Sequence, residues 1–209
     1  MPERGTNRPR RKAKQERARL TLEAILEAAA RVLLERGYGG ATTNRIAEAA
    51  GVSVGTLYEY FANKEAVFES VIRRELEALV RALQSQPSPR AEAPIVETFT
   101  GILQAGMQAM RHGPELYRSL EQVPGSTFRR QLVEVRTEVI GFVRRLLEAR
   151  RDELRVTDLD TAAFVVVSAV EGVAANASRE FFDEKLVREV TVLLESYLVG
   201  PAEATRENG

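Results

Sequence analysis

The amino-acid sequence predicts an all-α protein of about nine helices, with a small N-terminal helix-turn-helix domain followed by a larger helical domain. Apolar residues recur at three- and four-residue spacings through most of the 209 residues. No segment predicts a strand convincingly, because the β-branched run Val165–Val167 lies inside a longer helix-compatible segment. The polar, proline-rich segment 84–94 (QSQPSPRAEAP) is expected to be a linker or an exposed loop between the two domains.

The composition is that of a soluble globular protein, with 44% hydrophobic and 29% charged residues. Because the chain has no cysteine, it can form neither a disulfide nor a thiolate metal site. The apolar run Thr161–Ala177 is interrupted by Glu171 and Asn176, and it falls short of the ~20 residues that a membrane span needs. We therefore expect a cytoplasmic protein without a membrane partner.

The N-terminus is strongly basic, although the formal net charge of the chain is zero. The first 20 residues contain eight arginines and lysines against two glutamates. Residues 1–14 also have few apolar side chains, so we expect them to form a disordered basic arm. Such an arm on an otherwise acidic protein favours binding to a polyanion, and the alternative is a tail that only keeps the protein soluble.

The helix-turn-helix domain is predicted over 15–63. Its first helix runs from about residue 15 to Gly37, which ends it in a left-handed conformation, and Tyr38 then packs back on the helices. Thr42 is a favourable N-cap for a second helix.

Gly51 supplies a tight turn after this second helix, and Ser53 can cap a third helix over 54–61. The outward face of the third helix is small and hydroxylated. This is the pattern of a helix-turn-helix that places its second helix in the DNA major groove.

The residues that packing does not require form the candidate DNA-binding surface. Hydroxyl side chains can reach phosphates or base edges, and Arg45 can pair with guanine through two hydrogen bonds. Lys64, at the start of the fourth helix, is placed to hold a phosphate. Singly, each has a structural alternative: Tyr58 could be a half-buried aromatic and Thr43 a spare cap. The surface consists of Thr43, Asn44, Arg45, Ser53, Val54, Gly55, Thr56, Tyr58, Tyr60 and Lys64.

The same periodicity predicts six further helices. Asn63 can cap the fourth helix, which connects the two domains over 64–83. Either Asp158 or Asp160 can cap the helix that runs through residue 178. The second domain, 95–200, binds ligand and dimerises in this interpretation, and 201–209 is a disordered tail. Its other helices are predicted at about 95–111, 114–122, 126–151 and 184–199.

The stretch GYGGATTNRIAEAAGVSVGTLYEYFANKEAVF (37–68) resembles the DNA-binding domain of the TetR, or tetracycline-repressor, family. The resemblance is dense over about residues 17–70 and looser beyond, where PELYRSLEQVP and AAFVVVSAVEGV are similar to one branch of the C-terminal domain. It implies a homodimeric bacterial transcriptional regulator, usually a repressor. The sequence departs from a common family pattern at Asn44-Arg45, where the family often has an arginine followed by an acid.

The last two helices carry the broadest apolar faces. Small residues three or four apart would let another helix approach closely: Ser168, Ala169, Gly172 and Ala175. Two helices from each subunit would form a four-helix dimer interface, as the resemblance implies. The alternative is a core within one subunit.

A ligand pocket is expected among the middle helices, although side chains of this kind are more often plain core than pocket wall. The methionines suggest an adaptable, apolar lining. Glu171 lies in an apolar run and needs either a partner or a wet cavity, so it could face the ligand. The candidates are Phe99, Leu103, Met107, Met110, Leu116, Tyr117, Leu120, Phe128, Phe142, Phe164 and Glu171.

These features favour a sequence-specific DNA-binding regulator, most simply a repressor that leaves its palindromic operator when a small, mostly apolar effector binds. Rotation of the 64–83 helix would transmit the change. An enzyme is disfavoured, because the chain has one histidine, no cysteine and no glycine-rich phosphate loop, and no cofactor or metal is expected. The remaining alternative is a ligand-binding helical dimer whose helix-turn-helix no longer binds DNA.

Overall fold

A computed structural model describes residues 8–85 and 93–200, with side chains from residue 12 onward. Within these ranges the chain forms α-helices and one 3₁₀ turn at Arg151–Glu153, and no strand, so the all-α prediction is confirmed. The helices are α1 (Arg8–Gly40), α2 (Thr43–Ala50), α3 (Val54–Tyr60), α4 (Lys64–Gln84), α5 (Ile95–Ala109), α6 (Pro114–Glu121), α7 (Phe128–Ala149), α8 (Leu159–Asn176) and α9 (Glu184–Leu198).

The chain forms two compact units, and their boundary falls inside α4, after Arg73. The first unit contains α1 to α3 and the beginning of α4, together with residues 122–126 from the loop between α6 and α7. The second unit contains the rest of α4 and α5 to α9. The inclusion of residues 122–126 in the first unit is not something that the sequence pattern indicates.

The helix α1 begins at Arg8, earlier than the predicted start near Gln15. The expectation of a disordered arm is therefore wrong for residues 8–14, where arginine and lysine are good helix formers and Pro9 fits a first helical turn. Residues 1–7 and the predicted tail 201–209 lie outside the described residues. At the other end, Gly37 (φ 64°) interrupts the helix as predicted, so α1 is two helical pieces joined at a kink.

The second unit is built on a core shared by α5, α7, α8 and α9. Asp158 rather than Asp160 caps α8, because its carboxylate accepts hydrogen bonds from the backbone N–H groups of Asp160 and Thr161, each 3.1 Å away. The core comprises Ile95, Phe99, Ile102, Val143, Leu146, Leu147, Leu159, Ala162, Ala163, Val166, Val167, Val190, Leu194 and Leu198.

The helix α6 packs against α7 and α8 within this unit. Arg118 fixes it in place by donating a hydrogen bond of 2.7 Å to the carbonyl of Ala175, near the end of α8. An arginine in this position neutralises the partial negative charge of a helix C-terminus. Within the described residues α8 is also the one helix that is long and apolar enough to cross a membrane by length and composition, a test that core helices of soluble proteins also pass.

Candidate nucleic-acid interface

The turn between α2 and α3 is set by backbone hydrogen bonds around Gly51. This residue has a left-handed conformation (φ 68°), and its N–H donates to the carbonyl of Glu48, 3.1 Å away. The N–H of Val52 donates to the carbonyl of Ala47 at 3.0 Å. Together these bonds satisfy the last carbonyls of α2 in the Schellman arrangement, so the direction in which the chain enters α3 is fixed by glycine.

Both helices of the motif start at the caps that the sequence predicts. The hydroxyl of Thr42 accepts from the N–H of Arg45 at 3.3 Å, and the hydroxyl of Ser53 accepts from the N–H of Thr56 at 2.9 Å. The hydroxyls of Ser53 and Thr56 are also 2.9 Å apart. The first turn of α3 therefore presents an ordered pair of hydroxyl groups.

The inward faces of α2 and α3 are packed in the core of the first unit. The side chains of Ile46, Ala47 and Leu57 are fully buried, and Phe61 is nearly so. On the opposite face of α3, Gly55 and Tyr58 are exposed. The helix is therefore anchored by one side and leaves its other side available, as a DNA-reading helix requires.

Tyr58 is 52% exposed, so about half of its side chain is available for contact. Its hydroxyl is 3.3 Å from the hydroxyl of Thr43, the first residue of α2. This hydrogen bond links the two helices of the motif on their solvent side. Thr43 therefore positions Tyr58 and is not a spare cap.

Each of the two cationic residues of the candidate surface donates a hydrogen bond to a backbone carbonyl. Arg45 donates from Nη1 to the carbonyl of Gly40, 2.7 Å away. Lys64 donates from Nζ to the carbonyl of Tyr38 at 3.0 Å, and the same nitrogen lies 3.7 Å from the centroid of the Tyr38 ring. An ammonium carries three N–H donors, so Lys64 keeps capacity to contact a phosphate without leaving Tyr38.

Tyr38 is an organising residue that the sequence interpretation treated only as packing. Its hydroxyl donates to the carboxylate of Glu65 at 2.6 Å, and its ring lies 5.7 Å from that of Phe68. The hydrogen bond raises the pKa of Tyr38 and lowers the pKa of Glu65. One tyrosine thus ties the end of α1 to the beginning of α4.

All members of the candidate surface are at least partly exposed, which is the minimum that DNA contact demands. Asn44, Arg45, Ser53, Gly55 and Tyr58 are exposed, whereas Thr43, Val54, Thr56, Tyr60 and Lys64 are half-buried.

The structure separates the candidate ligand residues into distinct places within the second unit. Phe99, Leu103 and Phe142 belong to the core described above or pack against it. Met107 and Met110 are half-buried at the end of α5.

On α6, Leu116 and Leu120 are fully buried. Tyr117 and Phe128 meet edge to face, with ring centroids 5.8 Å apart. These two rings are candidates that the fold brings together.

Two of the ligand candidates lie where the sequence interpretation did not expect them. Phe164 is 53% exposed, because its position on α8 faces away from the core, so it does not line an interior pocket. Glu171 has found its partner in Arg136, whose Nε is 3.1 Å from its carboxylate at a partly exposed site. Loss of hydration raises the pKa of Glu171, and the Arg136 charge partly opposes this. Glu171 therefore has the partner that a charge in an apolar run needs, and its role toward a ligand stays a prediction.

The sequence interpretation missed Glu75, which is only 1% exposed. Arg74 donates to one of its carboxylate oxygens from Nη2 at 2.7 Å and from Nε at 3.1 Å. A signal existed, because Glu75 falls on the inward stripe of α4, three residues after Ile72 and four before Leu79. Among the described residues, no group of three or more histidines or acids could hold a metal ion.

The sequence matches two protein-family models. Residues 25–71 match the model of bacterial regulatory proteins of the tetR family, and residues 94–198 match that of the tetracyclin repressor-like C-terminal domain. These segments correspond to most of the first unit and most of the second.

Individual relatives match over shorter lengths. The HTH-type transcriptional repressor KstR2 of Mycolicibacterium smegmatis is 34% identical over 90 residues, which is 43% of this chain and 43% of that protein. The fatty acid metabolism regulator protein of Bacillus subtilis is 33% identical over 69 residues, 33% of this chain and 36% of the relative. The chain thus aligns with less than half the length of these relatives.

Solved structures extend the likeness to most of the fold. The fatty acid degradation regulator FadR from Bacillus halodurans superposes with a TM-score of 0.66 at 24% identity, over 83% of this chain and 94% of that one. PfmR from Thermus thermophilus gives the same TM-score at 21% identity, over 83% and 97%. With both family models matched and this fold shared, the chain belongs to the TetR family of bacterial regulatory proteins.

Proposed function

We propose that this protein is a sequence-specific DNA-binding transcriptional regulator that acts as a homodimer. In this proposal it is a repressor that leaves a palindromic operator when a small, mostly apolar effector binds. The observation that carries the proposal is the solvent face of α3. There the hydroxyl of Ser53 caps the helix beside the hydroxyl of Thr56, Tyr58 is exposed, and the opposite face of the helix is buried. Relatives that are named transcriptional repressors support the same direction of control.

On DNA, α3 would enter the major groove with its N-terminal turn foremost. The hydroxyls of Ser53 and Thr56 would contact base edges or phosphates, and Gly55 would let the backbone approach closely. Tyr58 and Lys64 would flank the helix and hold phosphates on either side. Arg45 would contact the DNA phosphate backbone rather than a base, because its guanidinium already donates to the main-chain carbonyl of Gly40.

The exposed apolar surface of α8 and α9 supports the proposed dimer. Phe164, Val192 and Leu193 are each more than half exposed, and only 28% of the apolar α8 segment is buried. Large exposed apolar surface of this kind marks an interaction site. On α8, Gly172 lies two turns from Phe164 on the same face and would allow close helix contact. Pairing of these helices about a two-fold axis would place two α3 helices on half-sites about 34–36 Å apart.

The effector would bind within the second unit, whose buried side chains are mostly apolar. The names of two relatives, which describe fatty acid regulators, support an apolar ligand. Binding would favour a helix arrangement in which the paired α3 helices no longer match the operator spacing. The helix α4 is the proposed transmitter, because it contributes residues to both units.

The test is binding of the purified protein to its own upstream DNA, measured by fluorescence anisotropy at several salt concentrations. We expect salt-dependent, sequence-selective binding that falls by at least about tenfold in Tyr58→Ala and in Lys64→Ala. Glu48→Ala, at an exposed position of α2, is the matched control and should bind as the wild type does. Weak binding that ignores both sequence and these substitutions would instead support a ligand-binding dimer that no longer uses its helix-turn-helix.

The dimer is tested separately, because DNA binding and self-association can fail independently. Leu193→Glu should convert the dimer to monomer in analytical ultracentrifugation, since it places a charge on the proposed interface. Val133→Glu, on a similarly exposed apolar residue of α7, should leave the mass unchanged. Loss of the dimer in both variants, or in neither, would exclude the α8–α9 interface.

A further inference from the structure

The second unit buries two polar features, the Glu75–Arg74 pair of α4 and the hydroxyl of Tyr117 on α6. We call these groups the buried polar cluster. We propose that this cluster is the polar end of the effector site, and that it selects an apolar molecule ending in one neutral hydrogen-bonding group. A hydroxyl or an ester carbonyl meets this description, whereas a free carboxylate or an ammonium does not. The inference rests on the proposed effector-responsive function and specifies its ligand.

The first observation is an unmet hydrogen bond. The hydroxyl oxygen of Tyr117 is inaccessible to solvent and has no hydrogen-bond partner among the residues that the structure describes. Leaving a buried hydroxyl unpaired costs about 1–3 kcal/mol, so folded proteins seldom retain one without a reason. A ligand that accepts or shares this hydrogen bond recovers that free energy on binding.

The second observation concerns charge. Glu75 is almost completely buried, and the guanidinium of Arg74 binds it through two N–H groups. The two charges compensate each other, so the cluster as a whole is close to neutral. Bringing in a further buried charge without a partner would be unfavourable. A carboxylate ligand would also approach the negative charge of Glu75, whose influence extends to Tyr117.

The protonation state of Tyr117 fits a donor. Burial raises the pKa of Tyr117, and the negative charge of Glu75 raises it further. The phenol therefore keeps its proton at neutral pH and can donate to a carbonyl or hydroxyl oxygen.

The remainder of the site is apolar. The ring of Phe128 is buried and meets the ring of Tyr117 edge to face. Leu116 and Leu120, which flank Tyr117 in the sequence of α6, are also buried. These side chains suit the hydrocarbon body of a ligand, which gains free energy from the apolar area that it removes from water. A ligand with an apolar body and one polar end group therefore matches the apolar and polar parts of the proposed site.

The experiment compares three probes with the same hydrocarbon chain and different end groups: 1-decanol, sodium decanoate and decylamine. Their affinities for the full-length protein are measured by isothermal titration calorimetry near neutral pH. We expect decanol to bind at least about tenfold more tightly than either charged probe. In Tyr117→Phe the affinity for decanol should fall about five- to tenfold, because only the hydroxyl is removed.

Two further measurements make the result specific to the unpaired hydroxyl. The free Tyr117→Phe protein should be at least as thermally stable as the wild type, because no internal hydrogen bond is lost. Tyr197→Phe, a matched change on α9, should leave all three affinities unaltered. In Glu75→Gln the Arg74 charge is no longer compensated, so the preference should move toward decanoate.

The inference is overturned if decanol shows no preference over decanoate, if Tyr117→Phe binds decanol as the wild type does, or if Tyr117→Phe is clearly destabilised. Operator binding of the same preparations separates this failure from that of the proposed function. Intact operator binding without selection for a neutral end group would reject only the ligand class, whereas absent operator binding would reject the regulator itself.

Discussion

The two units of this protein differ in how their polar side chains are buried and hydrogen-bonded. In the first unit the named polar groups are paired near the surface: Lys64 and Glu65 with Tyr38, Thr43 with Tyr58, and Ser53 with Thr56. In the second unit the hydroxyl of Tyr117 is buried without a hydrogen-bond partner among the described residues, and the carboxylate of Glu75 is buried with Arg74. The first arrangement holds a surface in one shape before any partner binds, whereas the second leaves an interior hydrogen bond that the proposed ligand would complete.

In the proposed function, this contrast follows from what each unit would recognise. A DNA-reading helix works best when its side chains are already in place, since ordering them on binding would cost conformational entropy. An effector site must instead gain something on binding that changes the preferred conformation, because a ligand shifts an equilibrium only by its differential affinity for the two states. An unmet buried hydrogen bond supplies such a difference.

The largest expected effect comes from breaking the buried pair of the second unit. Arg74→Ala leaves the carboxylate of Glu75 buried without its partner and should lower the free energy of unfolding by about 3–5 kcal/mol. Urea denaturation followed by circular dichroism measures this directly.

The matched control replaces both members of the pair with apolar side chains. Arg74→Met combined with Glu75→Leu should be close to the wild type in stability or above it, because no charge remains to be compensated. The same double variant should lose selection for a neutral end group. A cost of less than about 1 kcal/mol for Arg74→Ala would mean that water reaches Glu75, and the contrast between the units would then weaken.

A smaller effect is expected at the turn of the first unit. Substitution of Gly51 should change the stability of the fold, whereas substitution of Gly55 should change operator binding. Gly51→Ala should cost about 1–2 kcal/mol, because Gly51 has a positive φ and the loss comes from backbone strain, with no atom within 4 Å of the new Cβ. At Gly55 a Cβ would lie 3.6 Å from the Ser53 hydroxyl, which is ordinary contact. Gly55→Ala should therefore change stability by less than about 0.5 kcal/mol and still weaken operator binding.

Thermal denaturation and operator binding of both glycine variants test these two predictions. If Gly55→Ala binds the operator as well as the wild type, the backbone of α3 does not approach DNA closely. If Gly51→Ala is as stable as the wild type, the turn does not depend on a left-handed residue.

Local features of the fold could be predicted from the sequence because neighbours in the chain determine them. The caps at Thr42, Ser53 and Asn63 and the left-handed glycines at 37 and 51 are where the pattern places them. Each depends on a side chain and a backbone group within a few residues of each other.

What the sequence could not provide are pairings between residues distant in the chain. Lys64 lies 26 residues from Tyr38, and Arg136 lies 32 from its hydroxyl partner Ser168, so no local pattern predicts either contact. Phe164 shows the same limit, because a strongly apolar helix such as α8 does not reveal which of its faces meets the core. Glu75 is different, since its position on the inward stripe of α4 was visible in the sequence and was overlooked.

The smallest expected effect concerns the ion pair on the outer part of the second unit and depends on pH. Burial raises the pKa of Glu171 above the usual 4.5, with the charge of Arg136 opposing the rise, so the folded state holds this proton more tightly than the unfolded state does. Stability from this group is therefore greatest at acid pH and is lost as the pH rises through the folded pKa. Glu171→Gln removes the titration and should gain stability relative to the wild type between about pH 4 and about pH 7, by less than Gly51→Ala loses. Melting temperatures of both proteins across this range test the sign, and a difference independent of pH would show that the Arg136 pair cancels the cost of burial.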